Sequence, residues 1–247
     1  MESYDSIQAF AKKCEKELDR IDIVILNAGV SLKTFSTTKS TGHEKMIQVN
    51  HLGTVLLAIL LLPILKSKSA QQGSDRQPPH LTIVNSAMAH LCQVPNKDER
   101  PFLKSFHDTS ITPFEEQERY GVSKLLPQLF IVKLAEKVNP NDVIINMVDP
   151  GLTRGTGLSD IPGIMGYIGQ AAMYVVGRPV ERGAATYVDA VVRQSIESYE
   201  SFLMNCDIAP LSRWYYSDGP ALTDAIWTEI LKELEFAGVE EILASLK

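Results

Sequence analysis

The sequence predicts an α/β fold built on a parallel sheet, and two observations carry this prediction. Segments with helical spacing of apolar residues alternate along the chain with short apolar, β-branched runs, which is the pattern of parallel strands joined by helices. Polar residues directly follow three of these runs, at Asn27, Ser86 and Asp149. Because ligands of open α/β sheets bind outside the carboxyl ends of the strands, the three positions predict one shared crevice.

The individual elements follow from local patterns in chain order. The predicted strands are Ile21–Leu26, Leu81–Asn85, Val143–Val148 and Phe202–Cys206. The predicted helices are Ser6–Leu18, Thr41–Lys66, Glu118–Val138, Val180–Ser198 and Ala221–Phe236. The first strand is nearly all apolar, which is typical of a strand buried on both faces.

Local signals place the ends of several elements. Thr41 and Glu44 stand three residues apart and predict a capping box at the start of the second helix. Residues 92–117 contain three prolines and are expected to form a long polar insertion. Asp218-Gly219 predicts a turn before the last helix.

Composition bounds the class of protein. The chain has 247 residues, of which 45% are hydrophobic and 22% charged, so it can bury a sizeable core as one domain over residues 1–247. Its net charge is −6, and nucleic-acid binding usually needs a basic face, so no nucleic-acid partner is expected.

Metal ligands and membrane segments are not expected. The cysteines are far apart and the histidines lack metal-ligand spacing, so no metal is predicted and the histidines are expected at the surface or in caps. These residues are Cys14, Cys92, Cys206, His43, His51, His80, His90 and His107. The apolar run Val55–Leu65 is shorter than the ~20 residues of a membrane span and contains Pro63, so we expect a buried core helix. The acidic, polar N-terminus does not resemble a signal peptide, and a cytoplasmic location is expected.

Five short motifs occur in an order that carries a resemblance. They are Asn27-Ala28-Gly29, Asn50, Ser86, Tyr120-x-x-x-Lys124, and Pro150-Gly151 with Thr153. Each lies at a predicted strand end or on a predicted helix. In this order the chain resembles the short-chain dehydrogenase/reductase family, most closely its fungal and retinol-dehydrogenase-like branches, from about residue 6 to residue 235.

The resemblance implies a Rossmann-like, doubly wound parallel sheet and an oxidoreductase that interconverts a carbonyl and a secondary alcohol on a hydrophobic small molecule. It also suggests a place in secondary metabolism. It implies NADP as cofactor, with NAD not excluded, and a possible homo-oligomer. The implied catalytic residues are Asn50, Ser86, Tyr120 and Lys124. The implied cofactor-binding residues are Asn27, Ala28, Gly29, Tyr120, Lys124, Pro150, Gly151 and Thr153.

The chemistry of these side chains agrees with that assignment. Hydride transfer to or from carbon needs a proton to move at the oxygen, and free tyrosine, with a pKa of about 10, is a poor base at neutral pH. Lys124 follows Tyr120 by four residues on the same helix face, so its ammonium is expected to lower the Tyr120 pKa. Ser86 would hydrogen-bond the substrate oxygen, and the resemblance gives Asn50 a water of the proton relay.

Two departures and one ambiguous segment accompany the motifs. Asp149 stands where many relatives carry asparagine, and Gly155 where relatives often carry threonine. The segment Ile161–Val176 resembles the family's variable substrate loop, and its spacing equally suits a core-facing helix.

The glycine-rich phosphate turn of the family is not found before Asn27. Only 26 residues precede Asn27, whereas two βα units and a strand would need roughly 60 to 80. The expected sheet is therefore truncated, with family strands 4-5-6-7 kept, the first three absent and Ile21–Leu26 at an apolar edge. Three hypotheses stay open: a sequence that begins at an internal methionine of an ordinary oxidoreductase, a shortened inactive relative acting as a binding or interaction module, and a shortened chain with weak cofactor binding and activity.

Overall fold

The computed structural model describes residues 1–70, 77–156, 176–217 and 219–246. Its strands form a five-stranded sheet in the order β1-β2-β3-β4-β5. They are β1 (Ile23–Leu26), β2 (His80–Val84), β3 (Ile144–Asp149), β4 (Phe202–Met204) and β5 (Asp207–Ala209). β1 to β4 are parallel and β5 is antiparallel to β4, so the α/β class and mostly parallel sheet predicted from the sequence are confirmed.

Helices cover the sheet and connect its strands. The helices are α1 (Tyr4–Glu17), α2 (Lys45–Ile47), α3 (Gly53–Ala70), α4 (Phe102–Ser105), α5 (Glu116–Ala135), α6 (Val180–Val188), α7 (Arg213–Tyr216), α8 (Gly219–Glu233) and α9 (Val239–Ser245). The main core lies between one face of the sheet and helices that include α3, α5 and α8. A smaller cluster of Val84, Val148, Ala190 and Leu203 lies on the other face.

The second predicted helix is real, but its start was predicted wrongly. Glu44 is the N-cap, and its carboxylate accepts a hydrogen bond from the Ile47 N–H at 2.9 Å. Thr41 instead donates its hydroxyl to the Gln48 side chain at 2.7 Å, so no capping box forms. The capping function therefore comes from Glu44 itself, which is fully buried.

The core helix is longer than the apolar run indicated. α2 continues through a π-helical turn, Gln48–Leu52, into α3, and Pro63 lies inside that helix without ending it. The segment Lys45–Lys68 is long and apolar enough to cross a membrane, but 89% of its most apolar window is buried within the protein. This burial identifies it as a core helix.

The first strand is not buried on both faces as its composition indicated. β1 pairs with β2 and has no second partner among the described strands. Ile23 is 46% exposed, and of the four β1 residues only Leu26 is buried. Among the described strands, β1 is therefore an edge strand whose apolar side chains are partly exposed.

The segment 92–117 is more than a polar insertion. It contains α4, in which Phe102 and Leu103 are buried in the main core. Their backbone N–H groups donate to the two carboxylate oxygens of Glu229 on α8, at 2.7 and 2.8 Å. A cap supplied from so far along the chain leaves no local signal in the sequence.

The C-terminal third also differs in detail from the prediction. The predicted helix 180–198 is broken, because α6 passes into a π-helical turn, Asp189–Arg193, before a separate 3-10 turn at Ile196–Ser198. The predicted strand 202–206 turns back after Met204, and β5 and α9 were not predicted. Residues 161–175 of the proposed substrate loop and residue 218 of the predicted turn lie outside the described residues.

Candidate active site

The carboxyl ends of β1, β2 and β3 meet at one crevice, as parallel strands require. A cavity of about 760 Å³ opens there and is lined by Asn27 after β1, Ser86 after β2 and Asp149 at the end of β3. Most of the predicted site residues line it. They are Asn27, Gly29, Ser86, Tyr120, Lys124, Pro150, Gly151 and Thr153.

Helix α5 presents Tyr120 and Lys124 to this cavity from the same face. Tyr120 and Ser86 hydrogen-bond through their side chains. The Lys124 Nζ donates to the Val84 carbonyl oxygen at 3.0 Å and lies 5.9 Å from the centre of the Tyr120 ring. The serine, the phenol and the ammonium thus lie near one another at the end of β2.

Gly121 is what allows α5 to approach the Ser86 turn so closely. A Cβ at this position would lie 2.9 Å from the Met88 carbonyl oxygen and 3.0 Å from the Cys92 Cβ. Ser86 caps the 3-10 turn Ala87–His90 by accepting a hydrogen bond from the Met88 N–H. The sequence motif draws attention to Tyr120 and Lys124, but the glycine between them fixes the distance to Ser86.

The pKa of Tyr120 differs in direction from the sequence prediction. Burial raises the pKa of Tyr120 to about 12, and this outweighs the opposite effect of the hydrogen bond from Ser86. Burial lowers the pKa of Lys124 to about 8, with Asp149 acting in the opposite direction. The Tyr120 pKa is therefore raised in this structure and not lowered as predicted, because desolvation of the phenol is the largest influence on it.

Asn50 is buried and does not line the cavity. Its amide oxygen accepts from the Val30 N–H, and its amide nitrogen donates to the Val30 carbonyl and the Ser123 hydroxyl, all at 2.8 Å. The side chain therefore holds the segment after β1 against α5. Its role in a proton relay stays a prediction.

The turn after β3 is ordered by its own side chains. Asp149 accepts a hydrogen bond from the Gly151 N–H at 3.0 Å, and Thr153 donates to the Gly151 carbonyl at 3.0 Å. Tyr187 on α6 also lines the cavity and donates its hydroxyl to the Asn27 side chain at 3.1 Å. Sequence reasoning missed Tyr187, because nothing in the α6 pattern distinguishes it.

Other predicted residues lie elsewhere. Ala28 lines a separate apolar groove beside β1 rather than the cavity. Three histidines that were expected at the surface or in caps, namely His43, His51 and His80, are buried. His43 hydrogen-bonds His107 at 2.8 Å and Glu233 at 2.7 Å, which a sequence pattern cannot show because the partners are remote. Within the described part of the chain, no group of three or more His, Cys, Asp or Glu side chains could hold a metal ion.

The residues of the cavity fit the nicotinamide half of a dinucleotide. The volume suits a ligand pocket, and Lys124, the Pro150-Gly151 turn and Thr153 contribute polar groups to its lining. For the pyrophosphate half, residues 1–28 contain no glycine and hence no glycine-rich turn.

A parallel α/β sheet with a serine, a tyrosine and a lysine gathered at its strand ends defines a class of nicotinamide-dependent oxidoreductases. The family model described as "short chain dehydrogenase" matches residues 1–74. Over its full length this chain is 45% identical to the short chain dehydrogenase/reductase mfmJ of Annulohypoxylon moriforme and 42% identical to the short chain dehydrogenase virL of Hypocrea virens. It covers 71% of each of these relatives. The chain belongs to the short-chain dehydrogenase/reductase family and is an oxidoreductase.

Solved structures show the same fold at low sequence identity. An uncharacterised protein from Mycobacterium paratuberculosis matches with a TM-score of 0.63 at 18% identity, covering 95% of this chain and 73% of that one. The NADPH-bound carbonyl reductase from chicken fatty liver matches with a TM-score of 0.57 at 16% identity, covering 83% of this chain and 72% of that one. The Rossmann-like character of the fold is thereby confirmed.

Proposed function

We propose that the chain reduces a carbonyl group on a neutral, apolar small molecule to a secondary alcohol, with NADP(H) as hydride carrier. One observation carries the proposal: Ser86, Tyr120 and Lys124 line a single cavity at the carboxyl ends of the strands. The family establishes oxidoreduction with a nicotinamide cofactor. The direction, the substrate, the choice of NADP and a place in secondary metabolism are our proposals.

The state of Tyr120 supports reduction. With a pKa of about 12, its phenol is protonated at neutral pH and can act as the acid. As the carbonyl carbon gains hydride, the carbonyl oxygen takes the Tyr120 proton and becomes the hydroxyl of the product. Ser86 would turn its one hydroxyl proton from Tyr120 to the same substrate oxygen, and the Lys124 ammonium favours the phenolate that remains.

The bound cofactor would supply the hydride from its nicotinamide ring. We propose that Lys124, the Pro150-Gly151 turn, Thr153 and Asn27 hold it, since they contribute polar groups to the cavity lining. NADP(H) is proposed from the branch that the sequence resembles. Among structural neighbours, the chicken carbonyl reductase is NADPH-bound, and another is an NADH-dependent reductase of alginate metabolism, so both carriers belong in the test.

The cavity wall indicates the substrate class. Apolar side chains from four segments line it, and the charged side chains among its described lining residues are Lys124 and Asp149. The apolar residues are Val30, Leu32, Val84, Ala87, Met88, Leu91, Leu152, Val180 and Ala184. A wall of this kind favours a neutral, apolar ketone or aldehyde over an acid or a phosphate ester.

Turnover with a panel of apolar ketones and aldehydes, followed by oxidation of NADPH or NADH at about 340 nm, tests the proposal. We expect Tyr120→Phe to abolish turnover, because it removes the acid and keeps the ring. Tyr215→Phe is the matched control, since Tyr215 does not line the cavity. Unchanged turnover of Tyr120→Phe would contradict the assigned chemistry, and a wild-type chain that binds neither carrier would favour the binding-module hypothesis.

A further inference from the structure

Asp149 is an acid inside the candidate active site to which the proposed reaction gives no role. It ends β3, is 7% exposed and lines the cavity together with Tyr120 and Lys124. Its Oδ1 accepts the Gly151 N–H at 3.0 Å, and the Ala87 backbone N–H acts on the carboxylate to lower its pKa. The carboxylate is therefore held by the turn after β3 and lies near the turn after β2.

Charged and titratable groups surround Asp149 on several elements. Burial raises the pKa of Asp149. Its backbone interactions with Gly151 and Ala87 lower the pKa, and so do Arg178 and His90, which do not line the cavity. Asp149 in turn raises the pKa of Lys124, Tyr120 and Tyr187. The other groups that face it are thus one ammonium and two phenols.

We propose that Asp149 is a positioning residue for the reaction proposed above, whose carboxylate keeps Lys124 charged and Tyr120 protonated. The inference rests on the proposed function, and it adds Asp149 as the group that sets the charge states of Lys124 and Tyr120 during the reaction. Burial works against the ammonium, and a fixed negative charge in the same cavity offsets that penalty. The same charge disfavours a phenolate, so it keeps the proton on Tyr120 until the substrate oxygen takes it.

Asp149→Asn tests this proposal, because asparagine keeps the shape and the acceptor for the Gly151 N–H and removes the charge. The first readout uses the protein alone: NMR titration of chain labelled with ¹³Cε-lysine, in which Lys124→Met assigns the Lys124 signal. The wild-type midpoint of Lys124 is expected at about pH 8, because burial lowers the pKa of its ammonium to about 8. In Asp149→Asn we expect it to fall by about 1 unit.

The second readout is the pH profile of turnover. Loss of the carboxylate should make Tyr120 ionise at lower pH, so the alkaline limit of reduction and the acid limit of alcohol oxidation should both move to lower pH by about 1 unit. A purely structural role for Asp149 would lower the rate without moving either limit.

Asp189→Asn is the matched control, because Asp189 is also 7% exposed, hydrogen-bonds Gln194 and does not line the cavity. It should leave the Lys124 midpoint in place. An unchanged midpoint in Asp149→Asn, or an equal shift in both variants, overturns the inference about Asp149. If Asp149→Asn shifts the Lys124 midpoint but the wild-type chain turns over no carbonyl compound, the electrostatic pairing is supported and the proposed function is overturned.

Discussion

His51 offers the sharpest test of the energetics of this core. It follows Asn50 in the π-helical turn, is fully buried, and neither of its ring nitrogens has a hydrogen-bond partner among the described residues. Its ring meets Phe130 edge-on, with centroids 6.4 Å apart. Burial lowers the His51 pKa to about 3. We predict that His51→Leu stabilises the protein, and more so in acid.

Two contributions set the size of the effect. Burying polar atoms without partners costs about 1–3 kcal/mol, and leucine removes that cost at any pH. The pKa of His51 is lower in the folded state than the ordinary value of 6.5, so the unfolded chain takes up the proton first as pH falls. Wild-type stability is therefore lost from about pH 6.5 downward, and at pH 5 the loss is about 2 kcal/mol.

Urea unfolding followed by far-UV circular dichroism at pH 7.5 and 5.0 measures both contributions. His51→Leu should be about 1–3 kcal/mol more stable than wild type at pH 7.5, with the difference growing by about 2 kcal/mol at pH 5.0. His51→Gln is the matched control, since it stays polar but does not titrate and should show only the pH-dependent gain. A less stable His51→Leu at pH 7.5, or a difference that is the same at both pH values, would refute the reasoning.

Two further predictions concern the surroundings of the site. Gly121→Ala places a Cβ 2.9 Å from the Met88 carbonyl oxygen. We expect the free energy of unfolding, measured by thermal unfolding, to fall by about 1–3 kcal/mol, and turnover to fall because the Ser86 turn moves away. Unchanged stability and turnover would contradict this prediction. Glu44→Gln leaves Arg119, which is 2% exposed and 3.8 Å from the Glu44 carboxylate, as a buried unpaired charge, so the free energy of unfolding should fall by about 3–5 kcal/mol. The double variant Glu44→Gln/Arg119→Met should recover much of that loss, and failure to recover would show that the ion pair is not the cause.

The sheet was predictable because its signals are local. β2 and β3 are short apolar runs buried at every position, and each strand end is marked by a polar residue that directly follows or closes it. Parallel pairing then brings those ends together without any further information. For the same reason Ser86 and Asp149 could be placed in one crevice from the sequence.

The remainder depended on contacts between distant residues. Glu229 caps α4 from α8, and Asn50 is saturated by Val30 and Ser123, so neither the insertion nor the Asn50 environment could be derived locally. The Tyr120 pKa was predicted in the wrong direction because the sequence shows the neighbouring charge and does not show the burial. Desolvation is a property of the assembled core, and here it is the largest influence on the Tyr120 pKa.

Two glycines explain why motifs so far apart along the chain form one site. A Cβ on Gly29 would lie 3.2 Å from the Asn50 Oδ1 and 3.4 Å from the Lys124 Nζ, so glycine leaves room for the turn after β1 to lie close to both side chains. Gly121 does the same for the turn that carries Ser86. Both glycines lie within motifs whose reactive residues attract attention first. The distances among those reactive residues therefore depend on two glycines that have no side chain. For this reason the order of the motifs along the chain predicts the site better than any one motif does.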